Sequence, residues 1–183
     1  MSERLDQIEQ LLAKAERDAS GLPPVQQWQP ELSGDIDIRI LADGRWLHEG
    51  SEFKRLALVK LFSSILRREG DDYFLVTPVE KWRIHVEEAP FFAGAVNVLH
   101  TKGQEVLAFT LNTGDTLIAD AQHPVEVEQG ARGPRPYLQV RDGLRALIGR
   151  SAFYELVEQA QADDTDNCLY VSSRGARFTL GSL

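Results

Sequence analysis

The feature that most constrains this chain is a change of hydrophobic period. Between residues 91 and 127 no stretch sustains the period of an amphipathic helix. The segments FFAGAVNVLH, EVLAFTL, TLIADA and PVEVE are instead short apolar or alternating runs, separated by Lys102-Gly103 and Thr113-Gly114-Asp115. Short strands divided by Gly-containing turns predict an antiparallel meander. A loop, QGARGPRP, follows, then a strand over Tyr137 to Arg141, an Asp-Gly turn, a short strand, a helix from about Ser151 and two final strands.

The first half mixes both periods. Leu5, Ile8, Leu11, Leu12 and Ala15 share one face of a helix expected over residues 2–19, with Ser2 able to cap it and Gly21 and Pro23-Pro24 ending it. Trp28 reads as a packing anchor for the connector that follows. From Asp35 the pattern alternates through Ile36, Ile38 and Ile40, turns at Asp43-Gly44 and continues through Trp46 and His48. A second helical stripe, Leu58, Leu61, Phe62, Ile65 and Leu66, is expected to stop at Gly70. Tyr73 to Val76 and Trp82 to Val86 then read as strands.

Self-similarity divides the chain. Asp43-Gly44 and Asp142-Gly143 are each followed by a glycine, Gly50 and Gly149, at a Gly-to-Gly spacing of 6. Beyond them the segment from Arg55 parallels the one from Arg150, and 14 residues separate Leu61 from Leu75 as they do Leu156 from Tyr170. The expected fold is therefore α+β: two related ββαββ-containing subdomains, the second with an added meander, plus an N-terminal helix. The boundaries read as a helix and linker over 1–22, a first subdomain over 23–89 and a second over 90–183.

With 183 residues, 43% of them hydrophobic, the chain can bury a sizeable core without staples. The net charge of −8 argues against general affinity for nucleic acid or anionic membranes, which needs clustered Lys and Arg. A single cysteine, Cys168, precludes an internal disulfide or a multi-cysteine metal site. No run approaches the roughly 20 apolar residues of a membrane span, and the N-terminus lacks a secretory apolar core, so a cytoplasmic protein is expected.

No familiar catalytic constellation is present. The histidines His48, His85, His100 and His123 form no helical zinc pair, and neither a nucleophile elbow nor a phosphate-binding Gly-rich turn occurs. Neither a cofactor nor a metal is implied. His123 stands apart because His123-Pro124 places an imidazole on a restrained loop. Arg55 and Arg150 each open an expected helix just after a Gly-containing turn, where a cation opposes the helix dipole but joins free backbone N–H groups that suit an anion. Arg132, Arg135, Tyr137, Arg141 and Arg145 form a local basic and aromatic cluster in an acidic chain. Thr77, Glu80 and Lys81 add polar side chains on the turn after Val76.

Several of these strings carry a resemblance. Asp43-Gly44-x-Trp46, Arg55, the run from Leu61 to Arg67 and Phe74-Leu75-Val76-Thr77-Pro78-Val79-Glu80-Lys81 resemble an uncharacterised bacterial family, domain of unknown function twelve eighty-five. His123-Pro124, the run from Pro136 to Leu144 and the Arg150–Val157 helix are similar to it as well. The resemblance implies a duplicated core, a C-terminal half of pleckstrin-homology-like character, and a suspected nucleotide-like ligand between the halves with a role in signal transduction.

The resulting expectation is a ligand-sensing protein, leaning away from an enzyme, that binds a small anionic and nucleotide-like molecule between its halves. Arg55, Thr77, Glu80, Lys81, His123, Tyr137, Arg141 and Arg150 are the candidate ligand-binding residues. One alternative is a protein–protein interaction module that docks a partner on the N-terminal helix or a β-rich face. Another is a hydrolase of a phosphorylated substrate with His123 as base.

Overall fold

The computed structural model describes residues 3–183, so the expected cap Ser2 lies outside the described residues. The chain divides into two compact units, one comprising Met1–Leu41 and Arg45–Glu87, the other Ala42–Gly44 and Glu88–Leu183.

The first unit opens with α1 (Glu3–Ala13), which buries Leu5, Ile8 and Leu12. Those three positions of the stripe are core, whereas Leu11 stays 41% exposed. The helix stops short of residue 19 because Asp18 turns the chain, its carboxylate accepting the N–H groups of Ser20 and Leu22. The sheet follows: β1 (Leu32–Ile40), β2 (Trp46–His48) and β3 (Ser51–Glu52), then α2 (Leu56–Ser63), then β4 (Leu66–Glu69), β5 (Asp72–Val76) and β6 (Lys81–Val86). Ile36, Ile38 and Ile40 of β1 face the core, as their alternation requires.

The second helix is shorter than its stripe suggests. The Ser63 and Ser64 hydroxyls donate back to the Lys60 and Leu61 carbonyls, competing with helix propagation. Leu66 to Glu69 pair with β5 instead, and Ile65 and Leu66 are buried through the sheet.

The second unit begins with the meander β7 (Phe91–Thr101), β8 (Gln104–Leu111) and β9 (Thr116–Ile118). It continues through β10 (Val125–Gly130), β11 (Gly133–Arg141), β12 (Leu144–Ile148) and α3 (Arg150–Gln159); the PVEVE segment expected to extend the meander is β10, which pairs with β11 at the opposite edge of the sheet from β9. A separate three-stranded sheet, β13 (Gln161–Asp163), β14 (Cys168–Ser173) and β15 (Ala176–Ser182), ends the chain. The expected QGARGPRP loop is instead the tight β10–β11 hairpin, with Gly130 opposite Gly133 and the prolines inside β11 opposite Val127 and Gln129. Proline lacks the ladder N–H, but β11 pairs with β12 only from Tyr137 onward, so Pro134 and Pro136 have one side without a strand neighbour.

The duplication is plainest in the sheets. The first runs β3-β2-β1-β6-β5-β4 and the second β10-β11-β12-β7-β8-β9. Numbered from its own first strand, each has the order 3-2-1-6-5-4. The parallel pairs β1 with β6 and β7 with β12 sit in the middle of each. In this register α2 corresponds to the β9–β10 loop over 119–124, whereas α3 follows the sixth strand. The strands flanking α2 belong to one sheet and those flanking α3 to two, so Arg55 and Arg150 share a local ββαββ context without occupying equivalent places in the sheets.

Candidate functional site

Within the first unit, β2 pairs with β1 only from Ile38 onward, leaving the earlier part of β1 beside α1. A groove of about 520 Å³ results, lined by Glu3, Arg4 and Gln7 of α1, Asp35, Ile36 and Asp37 of β1, and His48 and Glu49. Alternation explains the lining: with Ile36 and Ile38 turned to the core, Asp35 and Asp37 stay exposed. Glu49 takes a left-handed backbone, φ 49°, and donates its N–H to the Asp37 carbonyl, which closes one end. Four carboxylates and one arginine give the lining a net negative formal charge. Arg83 lies 3.4 Å from Asp35 and Arg39 3.8 Å from Asp37, so both aspartates are partly compensated. The Arg4 guanidinium stacks 4.2 Å above the Trp82 ring.

The expected site residues of this unit fall elsewhere in it. Arg55 is the N-cap of α2, 63% exposed, with the Glu9 carboxylate 3.9 Å away and no side-chain cap on the helix. Thr77, Glu80 and Lys81 do share one turn. The buried Thr77 hydroxyl accepts the Glu80 N–H at 3.0 Å, and the Thr77 N–H donates to the Glu80 carbonyl. The Lys81 ammonium sits 3.1 Å from Glu69. Burial would raise the Glu69 carboxyl, yet hydrogen bonds from Lys81 and Arg67 hold it below its ordinary value.

In the second unit Glu88 organises the basic cluster. Arg135 and the Tyr137 hydroxyl both donate to its carboxylate, and the Arg145 guanidinium stacks 3.7 Å over the Tyr137 ring while pairing with Glu128. Burial pushes the Glu88 carboxyl up, but the Arg135 and Tyr137 hydrogen bonds outweigh it, so it lies below the ordinary carboxylate range. Burial and the Glu88 contact raise Tyr137. Arg141 lies 5.3 Å over the Phe91 ring, Arg132 is exposed at the hairpin tip, and Arg150 is the exposed first residue of α3.

His123 is the best-oriented histidine. Asp120 accepts the backbone N–H groups of Gln122 and His123, each at 2.9 Å, and contacts His123 Nδ1 at 3.0 Å. Arg174 approaches its other oxygen at 3.7 Å. Burial would raise the Asp120 carboxyl, but these hydrogen bonds lower it. Asp120 and Glu88 escaped sequence reasoning, as did the groove residues Arg4, Asp35 and Asp37. The Asp120-x-x-His123 spacing of an Asx turn was the one local signal. Among the described residues no group of three or more His, Cys, Asp or Glu side chains could hold a metal ion. Nor is any described helix long and apolar enough to cross a membrane.

These features define a class: a two-unit α+β protein built on a repeated six-stranded topology, with an acidic groove in its first unit. Residues 23–89 match the N-terminal domain, and residues 90–180 the C-terminal domain, of a family of unknown function, DUF1285. The chain belongs to that family. It is similar to the crystal structure of a DUF1285 family protein from Silicibacter pomeroyi DSS-3, with 42% identity, a TM-score of 0.81 and coverage of 94% of this chain and 95% of that one. A DUF1285 family protein from Shewanella baltica OS155 is also similar, with 30% identity, a TM-score of 0.53 and coverage of 67% and 91%. No curated protein matches the chain.

Proposed function

We propose that this protein is a small-ligand sensor, acting by binding rather than turnover, and that the α1–β1–β2 groove of its first unit receives the ligand. The observation that carries this reading is the groove itself. Its volume of about 520 Å³ lies within the range of small-molecule sites, and charged side chains from three chain segments converge on it. The test is a thermal-shift screen of the full chain against nucleotides, sugar phosphates, amino acids and amines. A ligand bound only by the folded state at about 100 times its dissociation constant adds roughly 2.7 kcal/mol. A shift lost in a Gln7→Trp variant, which fills the groove, supports the reading. A shift that survives in that variant counts against it, as does the lack of any shift.

A second reading, an anionic ligand at the start of α2, draws support from the exposure of Arg55 and the missing side-chain cap. It predicts that phosphate-bearing ligands raise the melting temperature of wild type and not of Arg55→Ala.

A further inference from the structure

We infer that α1 is an exchangeable arm: it seats on its own first unit or, reciprocally, on the first unit of a second copy of this chain, and the turn held by Asp18 decides between the two. The seat needs no new complementarity, because its occupant is the helix already in it. Leu5, Ile8 and Leu12 are buried there at 0–1% exposure. The polar ties are light, an ion pair from Glu9 to Arg55 at 3.9 Å and the Arg4 stack on Trp82. Exchange keeps every contact of the seat and changes only which chain supplies the helix.

The tether is the first reason. Residues 16–21 are all exposed, and every hydrogen bond made by residues 14–22 among the described residues ends within residues 11–22. The body takes hold only at Pro23 and Val25, both buried, with the Val25 carbonyl fixed by Arg67. The matched family domain begins at residue 23 as well, so α1 and its tether stand outside it. One side chain folds the tether back. The Asp18 carboxylate accepts the Ser20 N–H at 2.8 Å and the Leu22 N–H at 3.1 Å, while the Asp18 N–H donates to the Leu22 carbonyl at 2.7 Å. Opened, residues 14–22 span at most about 30 Å.

Apolar surface at the tether end of α1 is the second reason and is independent of the first. Leu11, in the last turn of the helix, is 41% exposed, and Leu56, beside the Arg55 that Glu9 meets, is 54% exposed. In an exchanged pair the copies meet where their tethers cross, next to this end of α1, and the second copy brings the same two leucines to cover them. Exchange also supplies Glu3, Arg4 and Gln7 of the groove from the second copy, yet it needs no ligand, so it stands or falls apart from the groove reading.

Covalent trapping in the full chain tests this. Two single-thiol variants, Glu9→Cys/Cys168→Ser and Arg55→Cys/Cys168→Ser, are mixed at about 1 mM, near the effective concentration of a short tether. The reagent is a bis-maleimide just long enough to close the internal link in one chain carrying both thiols. The two positions meet within one seat, so a link between two chains requires an exchanged α1. The mixture should give a covalent dimer of twice the 20.5 kDa of the chain, and neither variant alone should. Asp18→Ala in both chains alters an exposed side chain and should raise the yield at least about threefold. Ile8→Asp in the Glu9→Cys chain, whose arm then cannot seat, should abolish it. No link between chains in the mixture overturns the exchange, as does a link that survives Ile8→Asp or one that either variant forms alone. A yield indifferent to Asp18→Ala overturns the role given to that turn.

Discussion

Replacing Tyr137 with phenylalanine isolates the bond that secures the Glu88 cluster. The ring is retained, so its burial at 2% exposure and the Arg145 stack at 3.7 Å should persist. Only the hydroxyl that donates to Glu88 is lost. A hydrogen bond to a charged acceptor contributes about 1.5–3 kcal/mol. Glu88 keeps Arg135 and is 18% exposed, so water can replace part of the loss, and about 1–2 kcal/mol is expected. In a chain of this size that lowers the melting temperature by roughly 3–6 °C. The pH dependence distinguishes this cause from a packing defect. The folded-state Glu88 carboxyl is depressed, so its stabilisation is present above the ordinary carboxylate value and is lost as pH falls through the folded value. The deficit of Tyr137→Phe, followed by urea unfolding across pH 3 to 7, should shrink at the acid end. A deficit below about 0.5 kcal/mol at neutral pH, or one independent of pH, would refute the reasoning.

Three other perturbations follow from the packing. The wholly buried Ser173 accepts the Leu107 N–H at 2.9 Å and donates to the Ala119 carbonyl at 2.6 Å, so Ser173→Ala should cost about 1–3 kcal/mol by urea unfolding. Arg67, 5% exposed, donates to the Val25 and Trp28 carbonyls as well as to Glu69, and Arg67→Met should speed limited proteolysis in the segment 22–31 more than it lowers global stability. Gly44 has φ +86° and a Cβ there would sit 2.6 Å from Phe92 Cβ, so Gly44→Ala should destabilise by about 1–3 kcal/mol in thermal melts.

Local patterning carried much of the fold. The meander, the Asp-Gly hairpins, α3 and the duplicated α+β organisation were legible because alternation and turn residues act within a few positions. What misled was locally ambiguous. Ile65 and Leu66 extend a helical stripe, yet the serines before them and the β5 partner decide otherwise, and that partner is a tertiary fact. Pro134 and Pro136 read as loop because the gap beside them, where β11 has no β12 partner, is invisible in sequence. The residues around the groove were legible only as a polar face of β1 and a charged turn of α1. Nothing local announces that Arg4 meets Trp82, 78 positions away, or that Asp120 meets Arg174, 54 positions away. Contacts between distant exposed side chains leave no periodic trace, since neither residue needs to be apolar.

The shared strand order has a geometric consequence that separates the two units. In an order of 3-2-1-6-5-4 the third and fourth strands are opposite edges, so the connection between them must reach across the sheet. Six strands about 4.8 Å apart place those edges roughly 24 Å from each other if the sheet is flat. In the first unit the connection from Glu52 to Leu66 includes α2, which lays Leu58, Val59 and Phe62 on the core and has length to cross. In the second, Ile118 is joined to Val125 by residues 119–124 alone, about 25 Å of fully extended chain at most. That segment is far from extended, because Asp120 and His123 exchange backbone hydrogen bonds at 3.1 and 3.2 Å in a closed turn. The second sheet must therefore curl until β9 and β10 approach. The third sheet meets both flanks, with β14 against β8 and β15 against β10. His123 is thus oriented on the strap of a rolled sheet, and Asp120 holds that strap compact. Deleting Gln122 should be more damaging than inserting two glycines after it, since deletion removes an N–H that Asp120 accepts and shortens a turn already closed between Asp120 and His123, whereas lengthening costs only a few tenths of a kcal/mol in closure entropy. Thermal melts of the two variants compare them directly, and a deletion tolerated as well as the insertion would mean that the sheet edges lie closer than the strap requires.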